Sequence, residues 1–381
     1  MHFEFSPEQE EFRRHIARFT AERVTPRAEE LDQSGDFPRQ IFQELGELGY
    51  LGIKYPEKYG GAGLDEPQVY HTIFCEELAR GSLGVASVLA MHTSTATYAL
   101  NKWGDEELKQ RYLVPALAGR LVGAFGLTEP NAGSDAAAIR TKAVRDGDHY
   151  VLNGTKIFIS NGTVADFVTI AARTTPGRGF KGISLFLVDT KTPGFSVGRR
   201  LRKFTTHCSD AAELVLEDVR VPAHCLLGQE NMGLVNLAGS LDDDRVMTAA
   251  LSLGLARAAY EAALAYSQQR EQFGRPICKF QAVRFRLAEM LSRLETARLY
   301  TYYVATLADH GRKITQEAAM AKMVASEAAN YICRKAMKIY GGYGLMEEYP
   351  AERFLRDSYF LLVGGGTTDI MKVIISKSMG V

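Results

Sequence analysis

Apolar residues recur every three or four positions through the first third of the chain, as in the series Phe12, Ile16 and Phe19. This spacing places the apolar side chains along one face of a helix and predicts a layer of amphipathic helices. Pro67 suits the first turn of a further helix, because an N–H group at that position would have no partner within the helix. We therefore predict a helical domain over residues 1–119.

Short runs rich in β-branched and aromatic residues replace the helical spacing after about residue 120. Asp146-Gly147 and Asn153-Gly154 lie between such runs, and both dipeptides favour the positive φ that a tight hairpin turn requires. The pattern continues to Val221-Pro222. It predicts an antiparallel β domain over residues 120–227.

Helical spacing returns from residue 228 onward, in longer segments. Met320, Met323 and Val324 begin an apolar stripe that is typical of core packing, and Gly341-Gly342 is a predicted helix stop. Residues 228–381 are therefore predicted to form a second helical domain. The order of helices, sheet and helices predicts the α+β fold class.

The composition is that of a folded globular protein without a strong charge field. Lys and Arg number 45, as do Asp and Glu, so the formal net charge is zero, which argues against a nucleic acid partner. Charged residues interrupt every long apolar stretch, so we expect no membrane span. The first ten residues lack the apolar core of a secretory signal, so we expect a cytoplasmic protein. The five cysteines form no C-x-x-C pair and predict neither a disulfide framework nor a metal site.

Two glycine-containing segments carry the candidate chemistry. No G-x-G-x-x-G follows a predicted strand and no G-x-x-x-x-G-K occurs, so a nucleotide cofactor requires another cradle. The turn-rich segment from Gly126 to Asp135 offers backbone N–H groups and hydroxyls for that purpose. The other segment, Gly341 to Leu345, follows the predicted end of a helix.

Both segments are similar to the signatures of one protein family. Gly126 to Ala138 matches the first signature of the acyl-CoA dehydrogenase family, and Gly341 to Asp357 closely resembles the second. The resemblance covers essentially the whole chain, including Arg270 to Gly274. It implies three parts, namely an N-terminal helical domain, a middle antiparallel β domain and a C-terminal four-helix bundle.

The resemblance also implies an FAD enzyme. Members of the family remove the α-proton and the β-hydride of an acyl-CoA thioester and pass electrons to electron-transferring flavoprotein. They are homo-oligomers, usually tetramers. By resemblance, one set of residues contacts the flavin: Phe125, Leu127, Thr128, Gly133, Ser134, Phe158, Ser160, Thr367 and Asp369. A second set reaches the FAD of a neighbouring subunit: Arg270, Gln272, Phe273, Gln281, Lys338 and Gly342.

Two cofactor positions depart from the usual family pattern. Phe158 stands where many members carry Trp, an exchange that keeps an aromatic ring beside the flavin. Lys338 replaces an acidic or Gln residue. Its cation would meet the pyrophosphate of the cofactor, or Lys338 is simply an exposed helical lysine, and the sequence leaves both interpretations open.

The main departure concerns the catalytic base. Many members place a Glu just before Gly-Thr near the C-terminus, and Gly365 occupies that position here. Glycine cannot abstract a proton, but its backbone N–H can still polarise the thioester carbonyl. Other members, including isovaleryl-CoA dehydrogenase, supply the base from an earlier helix in a Leu-Asp-x-Glu-Arg context. Leu241 to Arg245 matches that context and puts Asp244, one methylene shorter than Glu, at the position of the base.

The three aspartates at 242–244 also have a plain structural interpretation, because acidic residues favour the positive end of a helix. Successive helical side chains point in different directions, so at most one of the three would face the flavin. By resemblance, Asp242 and Arg245 meet the pantetheine arm and the CoA, and Ser134 and Gly366 also contact the substrate. The short arm of an aspartate base favours a substrate other than a plain straight-chain thioester.

Histidine is the other residue type considered as a base. His207 fits a turn of the β domain and is expected to be structural. His92 is expected to line the acyl pocket or to pack in the helical layer. Asp244 therefore remains the predicted base.

The sequence supports two functions of different kinds. The first is FAD-dependent α,β-dehydrogenation of a short, branched or alicyclic acyl-CoA. The alternative is a relative that uses the same flavin pocket for non-oxidative chemistry, such as desulfination, or for enoyl-CoA reduction, since Gly365 indicates only that the common base is missing. A purely structural flavoprotein is disfavoured, because the flavin and CoA segments are intact.

Overall fold

The computed structural model describes residues 4–177 and 179–381. Its N-terminal part is a layer of helices. The first helix begins at a capping box, in which the side chains of Ser6 and Gln9 each accept a hydrogen bond from the other's backbone N–H. The helices are α1 (Pro7–Phe19), α2 (Ala28–Ser34), α3 (Arg39–Glu47), α4 (Pro67–Gly81), α5 (Leu83–Met91), α6 (Thr97–Trp103), α7 (Glu106–Leu108) and α8 (Val114–Leu117).

Three π-helical turns interrupt this layer, at Thr20–Val24, His92–Ala96 and Lys109–Leu113. Such turns are rare and occur frequently at functional sites. Pro67 opens α4, as the sequence predicts. The turn His92–Ala96 connects α5 to α6.

The middle of the chain forms an eight-stranded sheet. Its strands are β1 (Gly123–Gly126), β2 (Lys142–Asp146), β3 (His149–Ser160), β4 (Phe167–Arg173), β5 (Ile183–Asp189), β6 (Phe195–Arg200), β7 (Ala211–Pro222) and β8 (Leu226–Leu227). They lie in the order β6-β7-β3-β2-β4-β5-β8, with β1 beside β4. Most neighbours are antiparallel, as predicted, but β1 and one end of β2 pair with β4 in parallel.

The two predicted hairpin turns have different outcomes. Asp146-Gly147 connects the antiparallel strands β2 and β3, and Gly147 has a φ of +61°. Asn153-Gly154 is not a turn, because it lies inside β3 at a bulge opposite β7. A Cβ on Gly154 would stand 2.5 Å from Thr141 Oγ1, so glycine serves a close approach of two segments here rather than a hairpin.

The C-terminal part is again helical. Its elements are α9 (Gly233–Asn236), α10 (Ala238–Gln269), β9 (Glu271–Gln272), β10 (Arg275–Pro276), α11 (Gln281–Asp309), α12 (Thr315–Tyr340), α13 (Pro350–Val363) and α14 (Thr368–Ser378). Helices α10 to α13 pack on one another as the predicted four-helix bundle.

The helices of the two ends of the chain share one hydrophobic core, in which Phe74 and Leu78 of α4 belong to the same buried cluster as Leu253 of α10. Gly254 makes the close crossing of these helices possible, since a Cβ there would stand 2.2 Å from the carbonyl oxygen of Glu76. This packing holds the first turns of α10 against the π turn of residues 92–96.

Within the described part of the chain, one segment, Pro350–Ser378, is long and apolar enough to cross a membrane by length and composition alone. The segment is divided into α13 and α14, with 14 and 11 residues. Each helix is shorter than the ~20 apolar residues that a membrane-spanning helix needs.

Candidate active site

The three consecutive aspartates lie near the start of α10 and face different partners. Asp242 forms an ion pair with Arg245. Asp243 forms an ion pair with Lys54, at 2.8 Å. Among the described residues, no cation lies within ion-pair distance of Asp244. Its two neighbours are neutralised by ion pairs, as expected for structural aspartates, and Asp244 is not.

The Asp244 carboxylate is buried against the π turn His92–Ala96. Ser94 Oγ donates to its Oδ1 at 2.6 Å. The single O–H of Thr95 is shared between the two carboxylate oxygens, with Oγ1 at 3.0 Å from Oδ1 and 3.1 Å from Oδ2. Burial raises the pKa of Asp244 to about 6, while these hydrogen bonds act in the opposite direction. A carboxylate with this pKa is mostly ionised at neutral pH and is a stronger base than an exposed aspartate.

Gly365 lies on the turn between α13 and α14, beside the same part of α10. Its φ is +67°, and a Cβ at this position would stand 3.0 Å from Thr248 Oγ1. Thr248 lies one helical turn after Asp244 and donates to its backbone carbonyl at 2.8 Å. The fold therefore brings Asp244 and Gly365 together around Thr248. Among the described residues, the Gly365 N–H donates to no backbone carbonyl, which leaves it available to a ligand.

A buried lysine holds the glycine turn in place. Lys322 Nζ donates to the carbonyl oxygens of Gly366 and Leu362, at 2.7 and 3.4 Å. Burial lowers the pKa of Lys322 to about 8. Thr367 caps α14 by accepting a hydrogen bond from the Ile370 N–H. These contacts fix the backbone around Gly365 and Gly366.

The first signature segment is anchored to β3 by a buried ion pair between Glu129 and Lys156, at 2.8 Å. The Ile157 N–H also donates to the Thr128 carbonyl at 2.9 Å. Four predicted flavin residues on these segments are half-buried, and Phe158 is exposed. The four are Phe125, Leu127, Thr128 and Ser160. Gly133 and Ser134 lie exposed on the turn, and no atom lies within 4 Å of a Cβ placed on Gly133.

Two predicted cofactor residues are exposed aromatics in a strained backbone conformation. Phe158 has a φ of +60° and is 66% exposed, and Phe273 has a φ of +52° and is 93% exposed. Both features are costly in an isolated chain, and such strain concentrates at functional sites. They fit a planar aromatic partner outside the chain's own core.

The second signature forms one wall of a cavity of about 610 Å³. Its lining includes Arg270, Gln272, Gly341, Gly342 and Tyr343. The Arg270 guanidinium lies 5.5 Å from the Tyr343 ring, and no atom lies within 4 Å of a Cβ placed on either glycine. A guanidinium, an amide, open glycine backbone and aromatic rings fit the pyrophosphate and ring systems of FAD.

The structure does not bring every predicted cofactor residue to this cavity. Gln281 is exposed at the first position of α11. Lys338 is exposed on α12 and does not line the cavity. Asp369 is exposed on α14, where it pairs with Lys372 at 2.9 Å. Roles for these three residues remain predictions.

The two histidines pack as expected rather than facing the site. His92 is fully buried, with Nε2 against the Ala116 carbonyl at 3.1 Å and Nδ1 accepting from the Gly123 N–H at 3.0 Å. Burial lowers the pKa of His92 to about 4. His207 Nδ1 lies 3.0 Å from the Asp32 carbonyl. In residues 4–177 and 179–381, no group of three His, Cys, Asp or Glu side chains is arranged to hold a metal ion.

Sequence reasoning missed the residues that hold the two catalytic candidates. Ser94 and Thr95 contact Asp244 across about 150 positions of the chain, and Lys322 contacts Gly366 across 44. The available signal was the series Thr93-Ser94-Thr95, which places three hydroxyl groups in succession inside an otherwise apolar helical region.

Comparison with known proteins adds three family matches and close relatives. The models "Acyl-CoA dehydrogenase, N-terminal domain", "middle domain" and "C-terminal domain" match residues 6–120, 124–219 and 231–380. The chain is 42% identical to the probable acyl-CoA dehydrogenase YngJ of Bacillus subtilis, covering 100% of both chains. It is 41% identical to the caffeyl-CoA reductase-Etf complex subunit CarC of Acetobacterium woodii, over 97% of each. The structure of butyryl-CoA dehydrogenase from Megasphaera elsdenii superposes with a TM-score of 0.96, 39% identity and full coverage of both chains.

Proposed function

Because this chain belongs to the acyl-CoA dehydrogenase family, whose members are FAD-binding oxidoreductases, we propose that it dehydrogenates a short, branched or alicyclic acyl-CoA thioester between its α and β carbons. The observation that carries this proposal is the position of the buried Asp244 carboxylate. Asp244 lies one helical turn before Thr248, and Thr248 lies against the turn that contains Gly365. This arrangement replaces the glutamate that is absent at position 365.

Asp244 is the proposed base. Its Oδ2 has only the shared contact with Thr95, whereas Oδ1 also accepts a hydrogen bond from Ser94, so Oδ2 is the oxygen with room to receive the substrate's α-proton. The Gly365 N–H stabilises the negative charge that develops on the thioester oxygen, which lets a weak carboxylate base suffice. Bound FAD supplies the acceptor for the β-hydride. Asp242 and Arg245 are proposed contacts of the pantetheine arm and the CoA, and Arg245 Nε is buried without a hydrogen-bond partner among the described residues.

The proposed substrate class follows from the length of the base and the wall beside it. An aspartate reaches one methylene less far than a glutamate, so the α-carbon must lie closer to α10. Ser94 and Thr95 already occupy the space next to the carboxylate. The similarity to a butyryl-CoA dehydrogenase supports a short acyl group.

We also propose that the working enzyme is a homo-oligomer, with a tetramer as the expected form. Phe273, which follows the cavity-lining residue Gln272, is 93% exposed, and this exposure supports contact with a second copy of the chain. Helix α11 exposes the apolar side chains of Phe285, Leu299 and Tyr303. Such a surface favours contact with a second copy of the chain.

Electron-transferring flavoprotein is the proposed electron acceptor. The similarity to CarC, which is named as a subunit of an Etf complex, supports this acceptor. The cytoplasm is the proposed location.

The alternative function is reduction of an enoyl-CoA through the same residues. Protonated Asp244 would then donate its proton to the α-carbon, and a pKa of about 6 makes this side chain a usable acid as well as a base. The similarity to a caffeyl-CoA reductase subunit favours this second candidate.

The test is an anaerobic flavin spectrum of the purified protein mixed with a panel of saturated acyl-CoA thioesters. We expect rapid flavin bleaching with a short or branched thioester. Asp244→Asn is expected to slow this bleaching by about 10²–10⁴-fold, the usual contribution of a general base, while thioester binding is retained. Asp243→Asn is the matched control, because it makes the same change one position away, and its rate is expected to stay within a few-fold of the wild type.

Other outcomes decide between the candidates. Bleaching that persists at full rate in Asp244→Asn contradicts the base assignment but keeps the dehydrogenase. No bleaching by any saturated thioester contradicts the first proposal. In that case, oxidation of the reduced flavin by an enoyl-CoA would support the reductase, and release of sulfite from a sulfinoacyl-CoA would support the non-oxidative alternative.

A further inference from the structure

The π turn His92–Ala96 puts two consecutive hydroxyl side chains on one carboxylate. Ser94 Oγ and Thr95 Oγ1 together make three contacts of 2.6–3.1 Å with the two oxygens of Asp244. All three residues are at most 7% exposed. Neighbouring residues of an α-helix do not face a common partner, so the wider π turn makes this pairing possible.

The turn itself is firmly held from both sides. His92 is fixed by the Ala116 carbonyl and the Gly123 N–H. Thr93 Oγ1 bonds to His71 Nε2 at 3.0 Å. Thr97 Oγ1 donates to the His92 carbonyl at 2.7 Å. The two hydroxyls that meet Asp244 are therefore presented by a rigid element, which is the requirement for a preorganised site.

We propose that Ser94 and Thr95 are positioning residues that orient the Asp244 carboxylate toward the substrate and favour its ionised form. This inference rests on the proposed role of Asp244 as the base. Hydroxyl groups that donate to a carboxylate stabilise its charged state, because that state is the better acceptor. The two contacts on Oδ1 also fix the side-chain rotamer and leave Oδ2 with the smaller number of partners.

Other charged or titratable groups around Asp244 do not replace this effect. Asp243 on the same helix raises the pKa of Asp244, and Lys54, which is paired with Asp243, lowers it. Tyr55 is buried nearby, and its hydroxyl is already engaged by the Thr93 carbonyl and Thr97. His71 is buried and its pKa lies well below the usual range, so it adds no charge at neutral pH. The hydroxyl pair is the direct contact to the carboxylate.

The experiment measures the protonation of Asp244 directly in the flavin-loaded protein. The infrared carbonyl band of a protonated carboxylic acid, assigned by its loss in Asp244→Asn, is followed as a function of pH. Ser94→Ala, Thr95→Val and the double variant are compared with the wild type. We expect the midpoint of the double variant to move upward by about one pH unit or more, since the ionised carboxylate loses the hydrogen bonds that stabilise its charge.

Flavin bleaching by a saturated thioester provides the second readout. Its pH midpoint is expected to rise in parallel with the infrared midpoint. At high pH, where Asp244 is ionised in every variant, the double variant is expected to remain at least tenfold slow, because the carboxylate is no longer oriented. Thr95→Ser restores a hydroxyl and is expected to restore most of the rate and the midpoint.

Thr93→Val is the matched control, since it removes a buried hydroxyl of the same turn that contacts His71 rather than Asp244. An unchanged midpoint in both single variants, or an equal shift in Thr93→Val, would overturn the proposal. The single variants and Thr95→Ser keep it testable if the double variant does not fold. A midpoint that shifts in a protein that no thioester bleaches would contradict the proposed dehydrogenase while supporting the contact to Asp244.

Discussion

The Asp244 pocket and the cavity at Arg270 and Gly342 differ in how far a single chain completes them. At Asp244, the hydroxyl groups of Ser94 and Thr95 hold the carboxylate, and the residue is only 7% exposed. At the cavity, Arg270 is exposed and the glycine backbone faces open space, and Phe273, which follows the lining residue Gln272, is 93% exposed. The first region is enclosed by the fold, whereas the second presents an open surface.

This difference separates two physical requirements. A proton transfer needs a group fixed within a fraction of an ångström and shielded from water, so its surroundings are best built into the fold. A large cofactor needs an open concave site with polar groups exposed to meet it. Substitutions in the two regions should consequently change different quantities.

The largest change in the free energy of unfolding is expected for Asp244→Asn. The pKa of Asp244 in the folded protein, about 6, lies above the ordinary aspartate value of 3.8. The folded state therefore binds more protons between these two values, and stability falls as the pH rises through this window. Above pH 6 the buried charge costs about 3 kcal/mol, at 1.36 kcal/mol per unit. Denaturant unfolding at pH 8 should show Asp244→Asn more stable by up to that amount, with the gain shrinking as pH falls toward 4.

Asp243→Asn is the control for this measurement. It leaves Lys54 without its carboxylate partner, so we expect a loss of stability rather than a gain. Equal stability of the Asp244→Asn and wild-type proteins at pH 8 would contradict this prediction. It would show that the ionised Asp244 carboxylate is hydrated in solution and carries no burial cost.

The next largest effect is expected on FAD binding at the cavity lined by Arg270 and Gly342. Arg270→Gln removes a guanidinium that lines the cavity, and a hydrogen bond to a charged partner is worth about 1.5–3 kcal/mol. Retention of FAD should weaken by about 10–100-fold, measured by equilibrium dialysis of the flavin, with no gain in stability at pH 8. Arg145→Gln, on the exposed face of β2, serves as the matched control. Unchanged flavin retention in Arg270→Gln would exclude this cavity as the cofactor site.

The parts of the fold that could be predicted from sequence are those that depend on residues adjacent in the chain. The Asp146-Gly147 hairpin depends on two adjacent residues and was predicted correctly. The position of Asp244 was inferred from the resemblance of the five contiguous residues Leu241 to Arg245 to a family motif. Asn153-Gly154 shows the limit, because its glycine is required by the approach of Thr141, a contact that no local pattern reveals.

The surroundings of the candidate base could not be predicted for the same reason. Ser94 and Thr95 reach Asp244 only because α10 packs on the N-terminal helices and because the intervening turn is π rather than α. Lys322 likewise meets Gly366 only after α12 and α13 have packed. Each is a polar side chain whose partner is set by tertiary structure.

A smaller effect on the free energy of unfolding is expected for Gly365→Ala, beside the Asp244 pocket. The left-handed φ of +67° costs an alanine about 1–2 kcal/mol, and its Cβ would stand 3.0 Å from Thr248 Oγ1. Denaturant unfolding should therefore show a loss of about that size. A loss below about 0.5 kcal/mol would mean that the turn relaxes, and that its N–H is not held in one position.

The smallest change in folding stability is expected for a glycine-to-alanine substitution at Gly342, in the cavity that Arg270 also lines. Gly342 is outside the left-handed region, and no atom lies within 4 Å of a Cβ placed on it, so Gly342→Ala should alter the free energy of unfolding of the chain by less than about 0.5 kcal/mol. The added methyl group would instead narrow the cavity that the second signature lines. Flavin retention should fall while stability does not. If Gly342→Ala lowered stability as much as Gly365→Ala and left flavin retention unchanged, the two regions would not differ in the way that their exposure indicates.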